Sequence, residues 1–519
     1  MKKYLGCVRY QKEEIDHMRE KVIVIGAGMG GLSAAIRLQL AGYNVEIYEK
    51  NQTPGGKMSQ IQAEGFTFDV GPTIVMMPDL YRKLFELAGK NPEEYFRLKR
   101  LEPMYDAYFK DEVYRKYTIT SDLVELMKMN EGLGQETALG FLQYLSEMYK
   151  RYQVAVESFI TKPFRYARDI YNPKMLREVL KLKTFNSAEA MMASFIPNKD
   201  LQQMMGFQTL YIGVSPKKGP SLYNMIPMIE LLYGVWFIEG GMYAYAKALE
   251  KLFFELGGKI HYKKDVQRIL IENGRARGIV LEDREIEADI VISNADFPYT
   301  MQVLIQDSRA KGKYTPTKIE SMDYSCSCLV FYWGVKGTFP NLKVHNFVIC
   351  PDLSSNLDQI FDGNLIEDPS LYLHIPSICD SNLAPEGKSS FYVLMPVSEL
   401  GTSKYDWTPE VIAHYRQCAL DTLAPLEGLD NLADKIEFEQ VYTPKEFEKS
   451  FNAYRGATFG LQPTLKQSNH FRPQSKSLEC ENLYFTGSST HPGAGVPIAL
   501  EGGKICAEEV RRDREDAFI

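Results

Sequence analysis

The feature that most constrains how this 519-residue chain can fold is a glycine-rich turn close to its beginning. The segment Lys21–Ile25 is short and β-branched, as a buried parallel strand should be, and it leads directly into the pattern GxGxxG. Gly26 permits the tight turn, Gly28 lets the backbone approach a pyrophosphate, and Gly31 allows the next helix to pack closely on the strand. A helix predicted over residues 32–40 directs its free N–H groups and its positive dipole end at the phosphates. The pattern therefore predicts a dinucleotide-binding site.

A second predicted strand, residues 44–49, supports this interpretation. It ends in Glu49, about 20 residues past the glycine pattern, where a carboxylate can accept hydrogen bonds from ribose hydroxyls. Strand, glycines, helix, strand and terminal acid in this order indicate a dinucleotide site, and the alternative is a glycine turn without a ligand. These features do not separate NAD from FAD.

Further glycine motifs lie near both ends of the chain. Residues 54–58 read Pro-Gly-Gly-Lys-Met and follow the acid almost at once. Near the other end, residues 481–487 read as a strand that runs into a glycine, and the loop 488–497 opens a final helix. A strand, a glycine loop and a helix at both ends suit a cofactor of two parts.

The middle of the chain holds another segment of this kind. Residues 236–242 contain a double glycine and start a helix that stops at residues 257–258, and a hairpin turns at residues 273–274. A strand that begins at Ile290 then leads into Asn-Ala-Asp at residues 294–296. Since the chain is too long for one hydrophobic core, we expect at least two structural units built from interleaved segments.

These patterns resemble a known family. The segment 54–58 is similar to the second flavin signature of the amine-oxidase and carotenoid-desaturase superfamily. Within it, residues 66–78, 207–213 and 489–497 resemble the bacterial phytoene-desaturase type, and they are most similar to its thirty-carbon branch, the dehydrosqualene (4,4'-diapophytoene) desaturases. The resemblance runs from about Lys21 to Val510. It implies a doubly wound (Rossmann-like) α/β FAD-binding domain with an inserted substrate-binding region.

The resemblance also implies which residues bind FAD. Lys57 would lie near the diphosphate, Val266 would contact the adenine side through its backbone, and residues 294–296 would lie under the cofactor. The expected cofactor-binding residues are Gly26, Ala27, Gly28, Gly30, Gly31, Glu49, Lys50, Gly55, Gly56, Lys57, Met58, Gly71, Pro72, Thr73, Val266, Asn294, Ala295, Asp296, Gly487, Gly495, Val496 and Pro497.

The domain organisation expected from these segments is discontinuous. It comprises an N-terminal extension (1–20), an FAD-binding domain (21–110, 236–300 and 476–519) and a substrate-binding, membrane-facing region (111–235 and 301–475). The extension is charged and lacks the apolar stretch of a secretory signal. Met18 is an alternative start to Met1.

The activity that the resemblance implies is the introduction of successive double bonds into 4,4'-diapophytoene to give 4,4'-diaponeurosporene. Each step needs a hydride acceptor and a proton acceptor, and the flavin takes the hydride because no side chain accepts two electrons. The electrons then pass to oxygen or a quinone. Since this substrate offers almost nothing to hydrogen-bond, the protein must hold it by shape. The apolar segment 207–242 is the predicted tunnel, with ordinary core as the alternative for most of its residues.

Three polar residues are candidates for the proton acceptor. Asp169 matches a position at which desaturases of this type carry an acid, and the alternative is an isolated surface aspartate. His491 lies in the loop before the last helix, where its imidazole acts as a base or caps the helix. Glu239, just before the double glycine, is the third candidate.

The composition narrows the choice of partners. The net charge of -7 arises from well-mixed acidic and basic residues, so we expect no nucleic-acid surface. The eight cysteines show no metal-binding spacing, which indicates reduced thiols and no metal site. Cys326 and Cys328 would share one face of a strand, as buried small hydrophobes.

The relation of the chain to a membrane follows from its apolar segments. No run approaches the roughly 18 apolar residues of a membrane-spanning helix. Residues 174–183 predict an amphipathic helix with Leu176, Val179 and Leu180 on one face, which faces a membrane or docks on the domain with its lysines solvated. We therefore expect a cytoplasmic protein that associates peripherally with the cell membrane and draws its polyene from there.

Two other functions are compatible with the same fold. A carotenoid oxidase would convert a terminal methyl group to an aldehyde with the same flavin. An escort protein would bind prenylated GTPases without FAD, but the intact Gly26, Gly28 and Gly31 and the pair Gly55 and Gly56 favour a retained flavin.

Overall fold

The computed structural model describes residues 20–182 and 186–516. Most of the predicted N-terminal extension and Lys183 lie outside these ranges. The strands, in chain order, are β1 (Lys21–Ile25), β2 (Asn44–Tyr48), β3 (Gln60–Ala63), β4 (Phe66–Asp69), β5 (Leu98–Arg100), β6 (Tyr105–Phe109), β7 (Arg115–Ile119), β8 (Trp236–Ile238), β9 (Lys259–His261), β10 (Arg268–Glu272), β11 (Arg275–Val280), β12 (Glu285–Glu287), β13 (Ile290–Ser293), β14 (Ser327–Lys336), β15 (His345–Ile349), β16 (Leu371–His374), β17 (Lys388–Val397), β18 (Ile436–Tyr442) and β19 (Leu483–Phe485).

The helices join these strands and cover the sheets. In chain order they are α1 (Met29–Leu40), α2 (Pro78–Leu87), α3 (Leu123–Gly132), α4 (Gln135–Ala155), α5 (Ala167–Ile170), α6 (Pro173–Leu182), α7 (Ala188–Phe195), α8 (Lys199–Phe207), α9 (Met225–Tyr233), α10 (Met242–Glu255), α11 (Phe297–Tyr299), α12 (Ser308–Lys311), α13 (Pro316–Glu320), α14 (Leu353–Asp362), α15 (Pro409–Leu423), α16 (Leu432–Lys435), α17 (Pro444–Phe451) and α18 (Val496–Asp516).

A five-stranded parallel sheet, ordered β19-β13-β1-β2-β9, joins segments from both ends and the middle of the chain. Val22 and Val24 on one face of β1 are buried with residues of α1, α10 and α18. Ile23 and Ile25 on the other face are buried with residues of the antiparallel sheet β10-β11-β12. Both faces of β1 are thus covered, which explains its uninterrupted β-branched sequence. The predicted Rossmann-like α/β fold is confirmed.

A second sheet of seven strands, ordered β18-β14-β17-β16-β15-β6-β7, forms the other half of the molecule. Its long central strands β14 and β17 are paired antiparallel along their whole length. Strand β6 belongs to this sheet because it pairs in parallel with β15, although the sequence assigned residues up to 110 to the FAD-binding domain. Such a long-range pairing leaves no local signal in the sequence.

The region between β7 and β8 is helical. Its longest helix, α4, has 21 residues and packs against α3, α6, α7 and α9. Helix α9 contributes Met225, Met228, Ile229 and Leu231 to the same core as the seven-stranded sheet, whereas Leu232 and Tyr233 at its end are exposed. Within residues 20–182 and 186–516, no helix is both long and apolar enough to cross a membrane.

A buried ion-pair cluster ties the helical region to the C-terminal helix. The Arg165 guanidinium donates from Nε to Glu509 Oε2 at 2.6 Å and lies 2.8 Å, through Nη1, from Asp513 Oδ1. The side chains of Arg165 and Glu509 are 6% and 3% exposed. Removing one partner of a buried ion pair leaves an uncompensated buried charge, so this contact fixes α18 to residues outside the FAD-binding domain.

We therefore predict that Arg165→Met lowers the free energy of unfolding by about 3–5 kcal/mol, because Glu509 and Asp513 lose their buried counter-charge. Urea denaturation measures the change. The matched control is Arg511→Met on the same helix, where the arginine side chain is 56% exposed beside Glu515. The control is expected to change stability by less than about 0.5 kcal/mol. Equal effects of the two substitutions would contradict the prediction.

Candidate active site

A cavity of about 410 Å³ lies where the carboxyl ends of β1, β2 and β13 face the seven-stranded sheet. Parallel α/β sheets bind their ligands at this edge. The predicted cofactor-binding residues line the cavity, with the exception of Ala27 and Gly31. Those that line it are Gly26, Gly28, Gly30, Glu49, Lys50, Gly55, Gly56, Lys57, Met58, Gly71, Pro72, Thr73, Val266, Asn294, Ala295, Asp296, Gly487, Gly495, Val496 and Pro497.

The glycine loop is packed so closely that larger residues would not fit. A Cβ atom on Gly28 would lie 2.8 Å from Asn294 Nδ2, and one on Gly30 would lie 2.7 Å from Thr486 Oγ1. Helix α1 begins at Met29, three residues earlier than predicted, so Gly30 and Gly31 lie in its first turn. The first turn of α1 therefore lies at the cavity, and its free N–H groups are available to bind a phosphate there.

Two residues predicted to touch the cofactor instead hold the loop in place. The Ala27 N–H donates to Glu49 Oε2 at 2.7 Å. A Cβ on Gly31 would lie 2.4 Å from the Gly26 carbonyl oxygen, so this position requires glycine for packing. The Glu49 carboxylate is 4% exposed and also accepts the Asn51 N–H at 2.8 Å. Its orientation at the cavity is thus fixed by two backbone donors, and its oxygens retain lone pairs for ribose hydroxyls.

Several predicted residues also make contacts that join distant segments. Lys50 Nζ donates to Asn452 Oδ1 at 2.6 Å and so fastens the end of β2 to the residue after α17. Asn294 Nδ2 donates to the Gly26 carbonyl at 3.3 Å from beneath the glycine loop. Asp296 accepts the Tyr454 N–H at 3.0 Å. These contacts join the first glycine loop and the end of β2 to the segment 294–296 and to residues 452–454 around one cavity.

The other end of the predicted cofactor site is built from residues 55–58, 71–73 and 495–497. Lys57 Nζ donates to the Thr458 carbonyl at 2.7 Å, and burial lowers the pKa of Lys57. The ammonium group of Lys57 is therefore bonded to Thr458, which also lines the cavity. The contact of Lys57 with the diphosphate stays a prediction.

Arg472 is a buried residue near the site whose structural role the sequence did not indicate. Its guanidinium is buried and donates to the carbonyl oxygens of Leu461, Gln467, Ser488 and Thr490 at 3.0, 3.2, 2.6 and 3.1 Å. Burial lowers the pKa of Arg472 to about 10. This clamp shapes the loop that leads to α18, and no motif around Arg472 in the sequence signals it.

The remaining part of the cavity is apolar, and its wall combines strands of the seven-stranded sheet with residues from helices and loops. Its lining residues include Ile74, Met76, Phe207, Leu210, Tyr211, Cys326, Cys328, Phe347, Tyr372, Tyr392, Leu394, Pro396 and Phe459. Of the predicted tunnel, residues 207–242, only Phe207, Leu210 and Tyr211 line the cavity. For most of the segment the alternative, ordinary core, is confirmed, because α9 contributes buried apolar residues to the core and none to the lining of the cavity. An apolar sequence does not reveal which core a helix joins.

Two of the tyrosine hydroxyls in the apolar half are hydrogen-bonded, whereas the buried hydroxyl of Tyr211 has no hydrogen-bond partner among the described residues. Tyr372 OH lies 2.7 Å from both Thr73 Oγ1 and His345 Nδ1, and Tyr392 OH donates to the Gly71 carbonyl at 3.1 Å. Burial holds the pKa of His345 well below its usual range, so its imidazole is neutral. In the part of the chain that the structure describes, the carboxylates that line the cavity are at Glu49, Asp265 and Asp296, in segments that the sequence assigns to cofactor binding.

The structure does not bring Asp169 into the cavity. Its carboxylate is partly exposed and accepts the Tyr166 N–H at 2.8 Å, as a local turn contact. Glu239 lies on the surface, where it approaches Arg97 to 4.0 Å and its side chain is 54% exposed. Neither side chain lines the cavity, and a catalytic role for Asp169 or Glu239 stays a prediction.

His491 is buried behind the cavity wall and does not line it. Its Nε2 lies 2.9 Å from the Lys162 carbonyl, and its ring packs edge-on against Phe164. Burial lowers the pKa of His491 to about 4, so the imidazole stays neutral. The contacts favour the structural interpretation, in which His491 joins the last loop to the segment after α4.

Comparison with known proteins extends this assignment. The family described as flavin containing amine oxidoreductase matches residues 29–511. The chain is 43% identical over 498 residues to a protein of Staphylococcus haemolyticus named 4,4'-diapophytoene desaturase (4,4'-diaponeurosporene-forming), covering 95% of this chain and 99% of that protein. It is 42% identical over 500 residues to the protein of the same name from Staphylococcus aureus strain Newman, with the same coverage of both chains.

Solved structures share the fold. An oxidoreductase from Methanosarcina mazei superposes with a TM-score of 0.62 at 18% identity, covering 95% of this chain and 100% of that one. The glycine cradle, the fixed carboxylate of Glu49 and the closing loop at residues 495–497 fit the two parts of a flavin dinucleotide, which confirms the predicted cofactor FAD. Motifs, cavity and full-length similarity together place the chain in the flavin-containing amine oxidoreductase family, as an FAD-dependent oxidoreductase.

Proposed function

We propose that this chain is a desaturase that introduces successive double bonds into 4,4'-diapophytoene and gives 4,4'-diaponeurosporene, a step of thirty-carbon carotenoid biosynthesis. The observation that carries the proposal is the division of one cavity into a glycine-lined half and an apolar half. Relatives that bear this name match the chain over nearly its whole length. A hydrocarbon polyene requires an apolar binding surface, and the seven-stranded sheet provides it.

The residues of the apolar half hold the substrate by contact and keep water away. A bound FAD would supply the two-electron acceptor that takes up a hydride, and the proton lost from the neighbouring carbon would need a separate acceptor. Tyr372 and Tyr392 are hydrogen-bonded to the segment 71–73, so the aromatic wall and that cofactor-contacting segment keep a fixed separation. A fixed separation holds substrate and cofactor in reacting geometry.

The proposal extends to the partners of the reaction. Return of a bound FAD to its oxidised form would require an electron acceptor, for which we propose oxygen or a quinone, and we propose that the polyene reaches the cavity from a membrane surface. Exposed apolar side chains around α5 and α6 support such a surface, since Tyr166, Tyr171 and Leu176 are 41%, 59% and 48% exposed. Large exposed apolar groups that lie close together indicate an interaction site. The predicted contributions of Val179, Leu180 and Lys183 stay predictions.

The proposed activity predicts the product of the purified, FAD-loaded protein. With 4,4'-diapophytoene in lipid vesicles, the absorption spectrum should move stepwise to longer wavelength, and the product mass should fall by two hydrogens per step with no oxygen gained. A product that carries a carbonyl would favour the terminal-methyl oxidase. Protein that shows no flavin absorbance after incubation with FAD would favour the escort function.

We predict that Gly30→Ala weakens FAD binding, because the added methyl group would meet Thr486 Oγ1 and Asn294 Oδ1 at 2.7 and 2.8 Å. Overpacking typically costs about 1–3 kcal/mol, and a loss of this size in binding free energy corresponds to FAD binding that is weaker by about tenfold or more. Titration of apoprotein with FAD measures the affinity. The control is Gly132→Ala, where nothing lies within 4 Å of the added Cβ, and its affinity should equal that of the wild type. Unchanged binding by Gly30→Ala would refute the assignment of this loop.

We also predict that the double substitution Tyr171→Asp and Leu176→Asp reduces binding to phosphatidylglycerol vesicles by about tenfold or more, because two apolar side chains leave the interface. Co-sedimentation measures the bound fraction. Leu87→Asp is the matched control, because Leu87 is 52% exposed on α2. If the control loses binding to the same extent, or the double variant loses none, the proposed surface is wrong.

A further inference from the structure

We infer that Phe207, Tyr211 and Phe347 form an end wall of the apolar half of the cavity and so limit how much of a polyene can extend past the reacting carbons. This inference rests on the proposed function and adds to it the residues that select substrate length. All three side chains line the cavity. The same three also line a second, separate void, which is too narrow to hold a water molecule.

The two spaces are therefore separated by a layer one side chain thick. The second void is lined on its far side by Tyr105, Met204, Gln208 and Ile349, which come from β6, α8, the turn after α8 and β15. A polyene that occupied the main cavity would meet the three rings first. The space behind them becomes available only if a ring is lost or displaced.

Phe347 is the centre of this wall. Its ring lies 4.9 Å from the Tyr372 ring, 5.1 Å from Tyr105, 5.9 Å from Phe207 and 6.2 Å from Tyr211, between centroids. It is 4% exposed and stands on β15, which is paired on both sides, with β16 and β6. Because neighbouring strands hold its backbone and neighbouring rings hold its side chain, Phe347 cannot move aside to admit a longer substrate.

A buried polar contact holds the other two rings. Gln208 follows Phe207 directly, and its Nε2 donates to Tyr105 OH at 3.0 Å and to Glu230 Oε1 at 2.9 Å. Burial raises the pKa of Glu230 to about 8, so its carboxyl is protonated at neutral pH and adds no buried charge. These hydrogen bonds fix the turn that carries Phe207 and Tyr211, and a hydrocarbon cannot replace them.

Removal of the Phe347 ring should join the two spaces. Buried phenylalanine replaced by alanine leaves a cavity, since the surroundings relax only in part. A hydrocarbon with one more five-carbon unit at the end past the wall would then find room. The expected consequence is a change in the preferred length of the substrate, with the chemistry unchanged.

The test compares two substrates in the FAD-loaded full-length protein, the thirty-carbon 4,4'-diapophytoene and its forty-carbon analogue phytoene, each in vesicles. We expect Phe347→Ala to raise the ratio of forty-carbon to thirty-carbon conversion by about tenfold or more. Tyr211→Ala should shift the ratio in the same direction. Tyr211 is only partly buried, so this second variant keeps its fold if Phe347→Ala does not.

Phe391→Ala is the matched control. Phe391 is fully buried in β17 of the same sheet, packs on Phe339, and does not line the cavity. The Phe391→Ala substitution should therefore leave the ratio of forty-carbon to thirty-carbon conversion unchanged. The proposed wall would be refuted if the Phe347→Ala and Tyr211→Ala variants convert 4,4'-diapophytoene but keep the wild-type ratio of forty-carbon to thirty-carbon conversion. It would also be refuted if Phe391→Ala shifts that ratio by the same amount. Wild-type protein that converts neither polyene would instead refute the proposed function.

Discussion

The close approach of the glycine loop to Asn294 is the contact on which the rest of the structure depends. Asn294 lies at the end of a strand from the middle of the chain, and Thr486 lies at the end of one from the last segment. Both side chains approach the loop so closely that any Cβ at Gly28 or Gly30 would collide with them. The cofactor site therefore exists only after three distant segments have assembled, which couples FAD binding to the folding of the parallel sheet.

The second sheet gives the enzyme its substrate surface. Its wall residues alternate along each strand, since neighbouring side chains on a strand point to opposite faces. Cys326 and Cys328 face the cavity together at the start of β14, and Leu394 and Pro396 do so along β17. The hydroxyls of Tyr372 and Tyr392 bond to the segment 71–73, which ties this segment to the seven-stranded sheet.

Much of the cofactor half could be predicted from the sequence, because glycine patterns record local backbone requirements. The end of β13 was also found, through the family resemblance. The apolar half could not be predicted, since Phe347 and Tyr372 reach the cavity through strand pairings that join distant residues. A search for alternating apolar residues in β14 and β17 would have indicated half of that wall. The sequence could not show that Asp169 and His491 lie outside the cavity lining, because the direction of a side chain depends on tertiary contacts such as those to Tyr166 and Lys162.

The two thiols at the start of β14 have a consequence for the redox chemistry. Burial raises the pKa of Cys328 to about 11 and that of Cys326 well above its ordinary value, so both sulfurs stay protonated in the cavity. A thiolate in this position would be a nucleophile and a competing electron donor beside an oxidised flavin. Small, polarisable and protonated, the two cysteines therefore add an apolar surface to the cavity without adding a reactive thiolate.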